Sequence, residues 1–240
     1  MEIKIFDSVD KLNDFAAEQV RRTVENKPNA VLGLATGSSP VGMYKKLAEL
    51  NKEGKIDFSK VTSVNLDEYI GLDGDHPQSY RYFMNDNLFD HINIDKKNTF
   101  VPSGIAKDPQ TACDEYDEIL RKVGRTDLQV LGVGPDGHLG FNEPGETLVA
   151  NTHVDNLTES TIDANTRFFN DKSEVPTTAI TMGMGTIMKS RFIVLIATGE
   201  AKREAISKLK DNKIDPKCPI TFLKMHPNAI ILVDEAAYGK

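Results

Sequence analysis

Short apolar, β-rich runs recur along the chain at 30–34, 61–66, 128–133, 178–182, 192–197 and 229–233. Most are continuous rather than alternating, the mark of strands buried on both faces of a parallel sheet. Between them lie helical patterns at 9–25, 40–52, 78–90, 109–123 and 201–210. Strand, helix and strand repeated with short connections give βαβ units with right-handed crossovers. The expected fold is α/β: an open, mostly parallel, Rossmann-like sheet flanked by helices, forming a single domain over residues 1–240. Ser39 followed by Pro40 reads as a helix N-cap with proline at the first helical position, and Gly124 reads as a stop after Lys122. The segment 143–175 is polar and weakly periodic, which predicts long loops or a lid.

In open parallel sheets, ligands bind beyond the carboxyl ends of strands, so the segments that follow the strands carry the functional information. After the run 30–34 comes Ala35-Thr36-Gly37-Ser38-Ser39-Pro40, then a helix. A helix N-terminus offers unpaired N–H groups and a favourable dipole to an anion, and Thr36, Ser38 and Ser39 add hydroxyls around the turn at Gly37. The loop is neither a Walker A motif nor GxGxxG, and a plain serine-capped helix is the alternative reading. After 61–66 come Asp67-Glu68-Tyr69. Adjacent carboxylates at a buried strand exit are costly unless solvated, paired or used. One of them can remove a proton from carbon beside a carbonyl or imine; a Mg²⁺ site or a turn cap are the other uses. Strand alternation makes Asp67 the better candidate, with Glu68 pointing the other way.

After 128–133 comes Gly134-Pro135-Asp136-Gly137-His138-Leu139-Gly140-Phe141-Asn142-Glu143. Glycines allow this loop to fold tightly, and Asp136 and Glu143 can both reach His138. A carboxylate partner fixes the imidazole tautomer and raises its basicity, which suits acid/base work. One histidine with scattered carboxylates is a poor zinc set, and there is no GxSxG elbow.

Composition narrows the class. Hydrophobic residues are 39% and charged residues 27% of 240 residues, ordinary for a soluble globular protein. The two cysteines, Cys113 and Cys218, are far apart, which fits a reducing compartment. No signal-peptide pattern opens the chain, and the longest apolar run, 192–197, is too short to span a bilayer. A net charge of −7 disfavours nucleic-acid binding but not a small anionic substrate. A cytoplasmic protein without nucleic-acid or membrane partners is expected.

Taken together, Leu34–Pro40, Asn65-Leu66-Asp67-Glu68-Tyr69 and Gly132–Pro144 resemble the glucosamine-6-phosphate deaminase family, as do His76–Tyr80, Ala164–Phe169 and His226-Pro227. The first motif would also suit the related 6-phosphogluconolactonases, which lack the segment of the Asn65–Tyr69 type. The resemblance implies conversion of glucosamine 6-phosphate and water to fructose 6-phosphate and ammonia, with no metal or organic cofactor. It implies His138 for ring opening, Asp136 and Glu143 as its tuning partners, and Asp67 as the base at C2. It implies phosphate contacts from Thr36, Gly37, Ser38 and Ser39, joined by Arg167 and Lys202. Longer family members carry an allosteric site built on basic residues shortly after the catalytic loop, where this chain has His153 and Asp155. A monomer or small homo-oligomer without allosteric activation is therefore expected.

Overall fold

The computed structural model describes residues 1–166, 169 and 171–240, with the side chains of Ser160 and Ala164 set aside. Its strands are β1 (Glu2–Phe6), β2 (Val31–Leu34), β3 (Thr62–Asn65), β4 (Asp67–Tyr69), β5 (Thr99–Phe100), β6 (Leu128–Leu131), β7 (His153–Asn156), β8 (Thr178–Thr181), β9 (Ile193–Ala197) and β10 (Ala229–Asp234). The helices are α1 (Val9–Asn26), α2 (Val41–Lys52), α3 (Tyr80–Asn87), α4 (Pro109–Val123), α5 (Glu159–Thr166), α6 (Met184–Ile187), α7 (Arg203–Ser207) and α8 (Glu235–Tyr238).

Seven strands form one sheet in the order β1-β10-β9-β6-β2-β3-β5, and every neighbouring pair is parallel. The expected α/β architecture is therefore present. The central strands are apolar on both faces: β9 is buried at every position, as are β2 and β6. Helix α1 lays Leu12, Ala16, Ala17, Val20 and Val24 against the core at helical spacing, and its Ser8 cap accepts from the Lys11 amide. Helix α4 keeps its expected bounds, with Asp108 capping its start and Gly124 (φ 83°) closing it.

Three expectations need correction. The run at 178–182 does form a strand, but β8 belongs to a second, antiparallel sheet of order β4-β8-β7. Its apolar character comes from burial beside the main sheet, which periodicity cannot distinguish from membership of it. Ser39 is not the N-cap of α2: Pro40 occupies that position, and no side chain caps the helix. The segment 143–175 carries β7, α5 and a 3-10 turn at Lys172–Glu174 rather than only loops. The edge strand β1 was hidden by its charged alternation, since Glu2 and Lys4 flank Ile3 while its backbone pairs with β10.

Candidate active site

The winding of the main sheet reverses between β2 and β6: β3 and β5 lie on one side of β2, and β6, β9 and β10 on the other. Such a switch point opens a crevice at the carboxyl ends of the strands. Two grooves of about 630 and 640 Å³ lie elsewhere. They are bordered by Gly124 and Thr126 ahead of β6 and by Glu2, Phe192 and Ala229 at the starts of β1, β9 and β10, the amino end of the strands.

The loop 35–40 leaves β2 into this crevice. Tyr44 anchors it from α2 by donating its phenol to the Ala35 carbonyl at 2.6 Å. The chain turns at Gly37 (φ 82°), Ser38 is exposed, and Thr36 and Ser39 are half-buried. Ser39 Oγ approaches Gly132 at the end of β6, so the loop abuts the histidine-bearing segment. Because no side chain among the described residues caps α2, its first-turn N–H groups are left for an anion.

Asp67 begins β4, where the chain passes from one sheet to the other. The Leu66 amide donates to Leu34 in the main sheet, while the Leu66 carbonyl accepts from Met182 in the small one. Asp67 pairs with Thr181 and is 5% exposed. Burial pushes its carboxyl up to about 8, the Glu68 charge adds to this, and His138 opposes it. Glu68 turns the other way. Its carboxylate accepts from the amides of Tyr69, Tyr80 and Arg81 at 2.8–2.9 Å and so holds the start of α3. Burial raises it to about 7 against those three donors.

His138 is gripped by its own loop. Its Nδ1 lies 2.8 Å from Asp136 Oδ1 and 3.4 Å from Glu143 Oε2. Neither oxygen lies along the N–H direction, so these contacts act as close charge pairs rather than aligned hydrogen bonds. Burial disfavours the imidazolium, but Asp136 and Glu143 outweigh it and lift His138 to about 9. Burial likewise opposes the Asp136 charge, and contact with His138 overcomes it to hold that carboxyl below its usual value. The three ligand atoms fall within 4.8 Å of one another. At 2.8 Å, however, Nδ1 and Oδ1 are closer than the roughly 3.4 Å that separates two ligands about 2.1 Å from a tetrahedral ion. Proton chemistry fits the geometry better than metal binding. With Nδ1 committed to the carboxylates, Nε2 is the nitrogen available to a substrate.

Gly140 brings this loop against Asp67. It holds φ 62°, and a β-carbon there would stand 3.2 Å from Asp67 Oδ2 and 2.9 Å from Thr181 Oγ1. The contact is stitched by the Phe141 amide donating to Thr181 Oγ1 and by Asn142 Nδ2 donating to the Leu139 and Met182 carbonyls. Asp67, Asp136, His138 and Glu143 thus share one crevice with the Thr36–Ser39 loop.

Lys202 is half-buried in the 3-10 turn Glu200–Lys202 after β9, at the same end of the sheet. Arg167 lies outside the described residues. Sequence reading missed two contributors. Tyr80 stacks on Phe141 with ring centroids 5.9 Å apart and packs against Tyr69 at 4.7 Å. Thr161 donates to Glu143 Oε1 at 2.7 Å. Tyr80 lies in the His76–Tyr80 segment already noted, but Thr161 carries no signal in sequence, because Glu143 is distant along the chain.

Comparison with known proteins bears on this arrangement. Residues 6–232 match the family model described as glucosamine-6-phosphate isomerases/6-phosphogluconolactonase. The chain belongs to this family. It is 52% identical over 237 residues to a glucosamine-6-phosphate deaminase of Clostridium perfringens, covering 99% of this chain and 98% of that one. The glucosamine-6-phosphate deaminase of Thermoanaerobacter pseudethanolicus is 52% identical over 99% of this chain and 94% of its own length. A solved monomeric glucosamine-6-phosphate deaminase superposes with a TM-score of 0.97 at 40% identity, over 100% of this chain and 99% of that one. A 6-phosphogluconolactonase from Thermotoga maritima shares the fold at a TM-score of 0.78 and 21% identity, over 97% and 99% of the two chains.

Proposed function

We propose that this protein is a glucosamine-6-phosphate deaminase, converting D-glucosamine 6-phosphate and water to D-fructose 6-phosphate and ammonia in amino-sugar catabolism. The observation that carries the reading is a buried carboxylate, Asp67, set against the loop of a histidine held by two further carboxylates. The near-full-length identity to named deaminases supports the same assignment.

The phosphate rests on the Thr36, Gly37, Ser38 and Ser39 turn and the α2 N-terminus, with Lys202 and Arg167 as further cations. The substrate arrives as a closed pyranose. The His138 imidazolium donates its Nε2 proton to the ring oxygen as the ring bond breaks, and it recovers a proton from the anomeric hydroxyl. Asp136 and Glu143 stabilise the imidazolium and hold the ring in place. Asp67 then takes the C2 proton of the open aldehyde, leaving an enolamine, and a proton returns at C1. Water adds to the resulting ketose imine and ammonia leaves. Burial of Asp67 serves this step, since a base whose pKa lies near working pH transfers protons efficiently.

Residues 1–240 act as one domain in this reading, as a monomer or small homo-oligomer in the cytoplasm. The monomeric deaminase of the same shape supports that state, and among the described residues no helix is long and apolar enough to cross a membrane. The test is ammonia release from glucosamine 6-phosphate by purified protein in the presence of EDTA. Hydrolysis of 6-phosphogluconolactone without ammonia release would overturn the assignment.

A further inference from the structure

We propose that Thr161 is a positioning residue: its hydroxyl fixes the Glu143 carboxylate so that the second oxygen of that carboxylate faces His138. This rests on the deaminase reading for its consequence in turnover, and on geometry alone for its effect on the histidine.

Glu143 is 7% exposed and divides its two oxygens between two tasks. Oε1 accepts from Thr161 Oγ1 at 2.7 Å, while Oε2 lies 3.4 Å from His138 Nδ1 and has no aligned donor among the described residues. The histidine contact alone therefore does not define the rotation of the carboxylate. The threonine bond does, because a short hydroxyl-to-carboxylate hydrogen bond is directional.

Thr161 is itself held. Thr158 caps α5: its carbonyl accepts from the Ile162 amide, and its hydroxyl accepts from the Thr161 amide at 3.3 Å. The Thr158 hydroxyl also donates to Thr161 Oγ1 at 3.1 Å. With that acceptor site filled, the Thr161 proton points at Glu143. A relay of two hydroxyls thus runs from the first turn of α5 to the histidine's partner. It joins a helix in the segment 143–175 to a loop built on the main sheet.

The charged groups facing this pair come from three elements. Asp136 lies on the same loop at 2.8 Å from Nδ1, and Asp67 of β4 interacts with His138 across the crevice. Asp155 of β7 interacts with Glu143 and has His153 Nε2 at 3.9 Å. Without the Thr161 donor, the buried Glu143 carboxylate is left with one misaligned cationic partner and a nearby anion. The freed carboxylate can rotate Oε2 away from Nδ1, which removes one of the two contacts that raise the His138 pKa, so the imidazolium is lost at lower pH.

The experiment compares the wild type with Thr161→Val, Thr161→Ala and Thr161→Ser. The imidazole pKa of His138 is followed by NMR in ligand-free protein, and kcat and KM for glucosamine 6-phosphate are measured alongside. Valine and alanine are expected to lower the His138 pKa by about one unit and kcat by about 10-fold, with KM changed less than about two-fold. Serine keeps the hydroxyl and is expected to restore both. The alanine variant serves where valine disturbs folding, judged by circular dichroism. An unshifted or raised His138 pKa in the folded valine or alanine variant overturns the proposal, as does a serine variant that behaves like valine. The NMR readout does not depend on turnover, so failure of the deaminase assignment leaves this test standing.

Discussion

The imidazole of His138 occupies the space in which Gly134 would carry a side chain. A β-carbon on Gly134 would stand 2.1 Å from Cε1, 2.3 Å from Nδ1 and 2.5 Å from Nε2. These contacts are with a ring that Asp136 and Glu143 also hold, so it cannot yield without leaving its partners. Gly134→Ala is expected to leave the protein folded but to displace the ring by about an ångström. Loss of reactive geometry on that scale costs on the order of 100-fold in rate. Steady-state kinetics beside a circular dichroism spectrum check this, and near-normal kcat would show that the ring has another place to sit.

Asp67→Asn separates catalysis from stability. Turnover is expected to fall by about 10³-fold with substrate binding largely kept, because a general base acts in the transition state. Stability is expected to move the other way. The folded-state pKa of Asp67 is raised from 3.8 to about 8, so folding favours the protonated form. The contribution of Asp67 is therefore fully present below about pH 4 and is lost progressively as pH rises towards about 8. Asparagine is always neutral and escapes that loss. Urea unfolding at pH 5 and pH 8.5 should show the variant more stable than wild type, by on the order of 3 kcal/mol at the higher pH and by less at the lower.

The pH profile of kcat/KM should be bell-shaped and narrow. Its rising limb follows ionisation of Asp67 near 8, and its falling limb follows loss of the His138 proton near 9. The two groups interact, so the apparent values belong to the pair. Asp136→Asn removes one of the anions that raise His138, and the falling limb should move to lower pH. A falling limb that stays in place would sever the link between Asp136 and the histidine's charge.

Glu68→Gln probes the anchor beside Asp67. The carboxylate receives three amide donors, and an amide side chain would turn its own NH₂ towards at least one of them. A loss of about 2 kcal/mol in unfolding free energy is expected. Removing the Glu68 charge also removes one cause of the raised Asp67 pKa, so the rising limb of the pH profile should move to lower pH. Denaturant curves and the pH profile report the two effects separately.

The parts of the site that share one stretch of chain were legible in sequence. Asp136, His138 and Glu143 stand on a single glycine-rich loop after a buried strand, so their meeting needs only a tight turn. Asp67 was legible because alternation at a strand exit decides which of two neighbouring acids faces the crevice. Contacts that depend on where a distant element docks left no trace. Thr161 reaches Glu143 only because α5 packs back over the loop, and the amides that bind Glu68 belong to Tyr80 and Arg81 of α3. The second sheet escaped for a related reason. Its strand β8 is nearly as buried as a central strand, while β7 alternates between half-buried and exposed positions and reads as a polar loop.

The passage of the chain from Leu66 into β4 makes the segment sensitive to length rather than to bulk. Leu66 is bonded to both sheets, so the residues on either side of it are fixed in phase. Insertion of one residue between Leu66 and Asp67 would exchange the faces of the two acids, sending Glu68 into the crevice and Asp67 towards α3. Composition and local charge would be almost unchanged, yet both roles would be lost together. Divergence within this fold can thus adjust side chains at this crossing far more readily than it can change the number of residues in it.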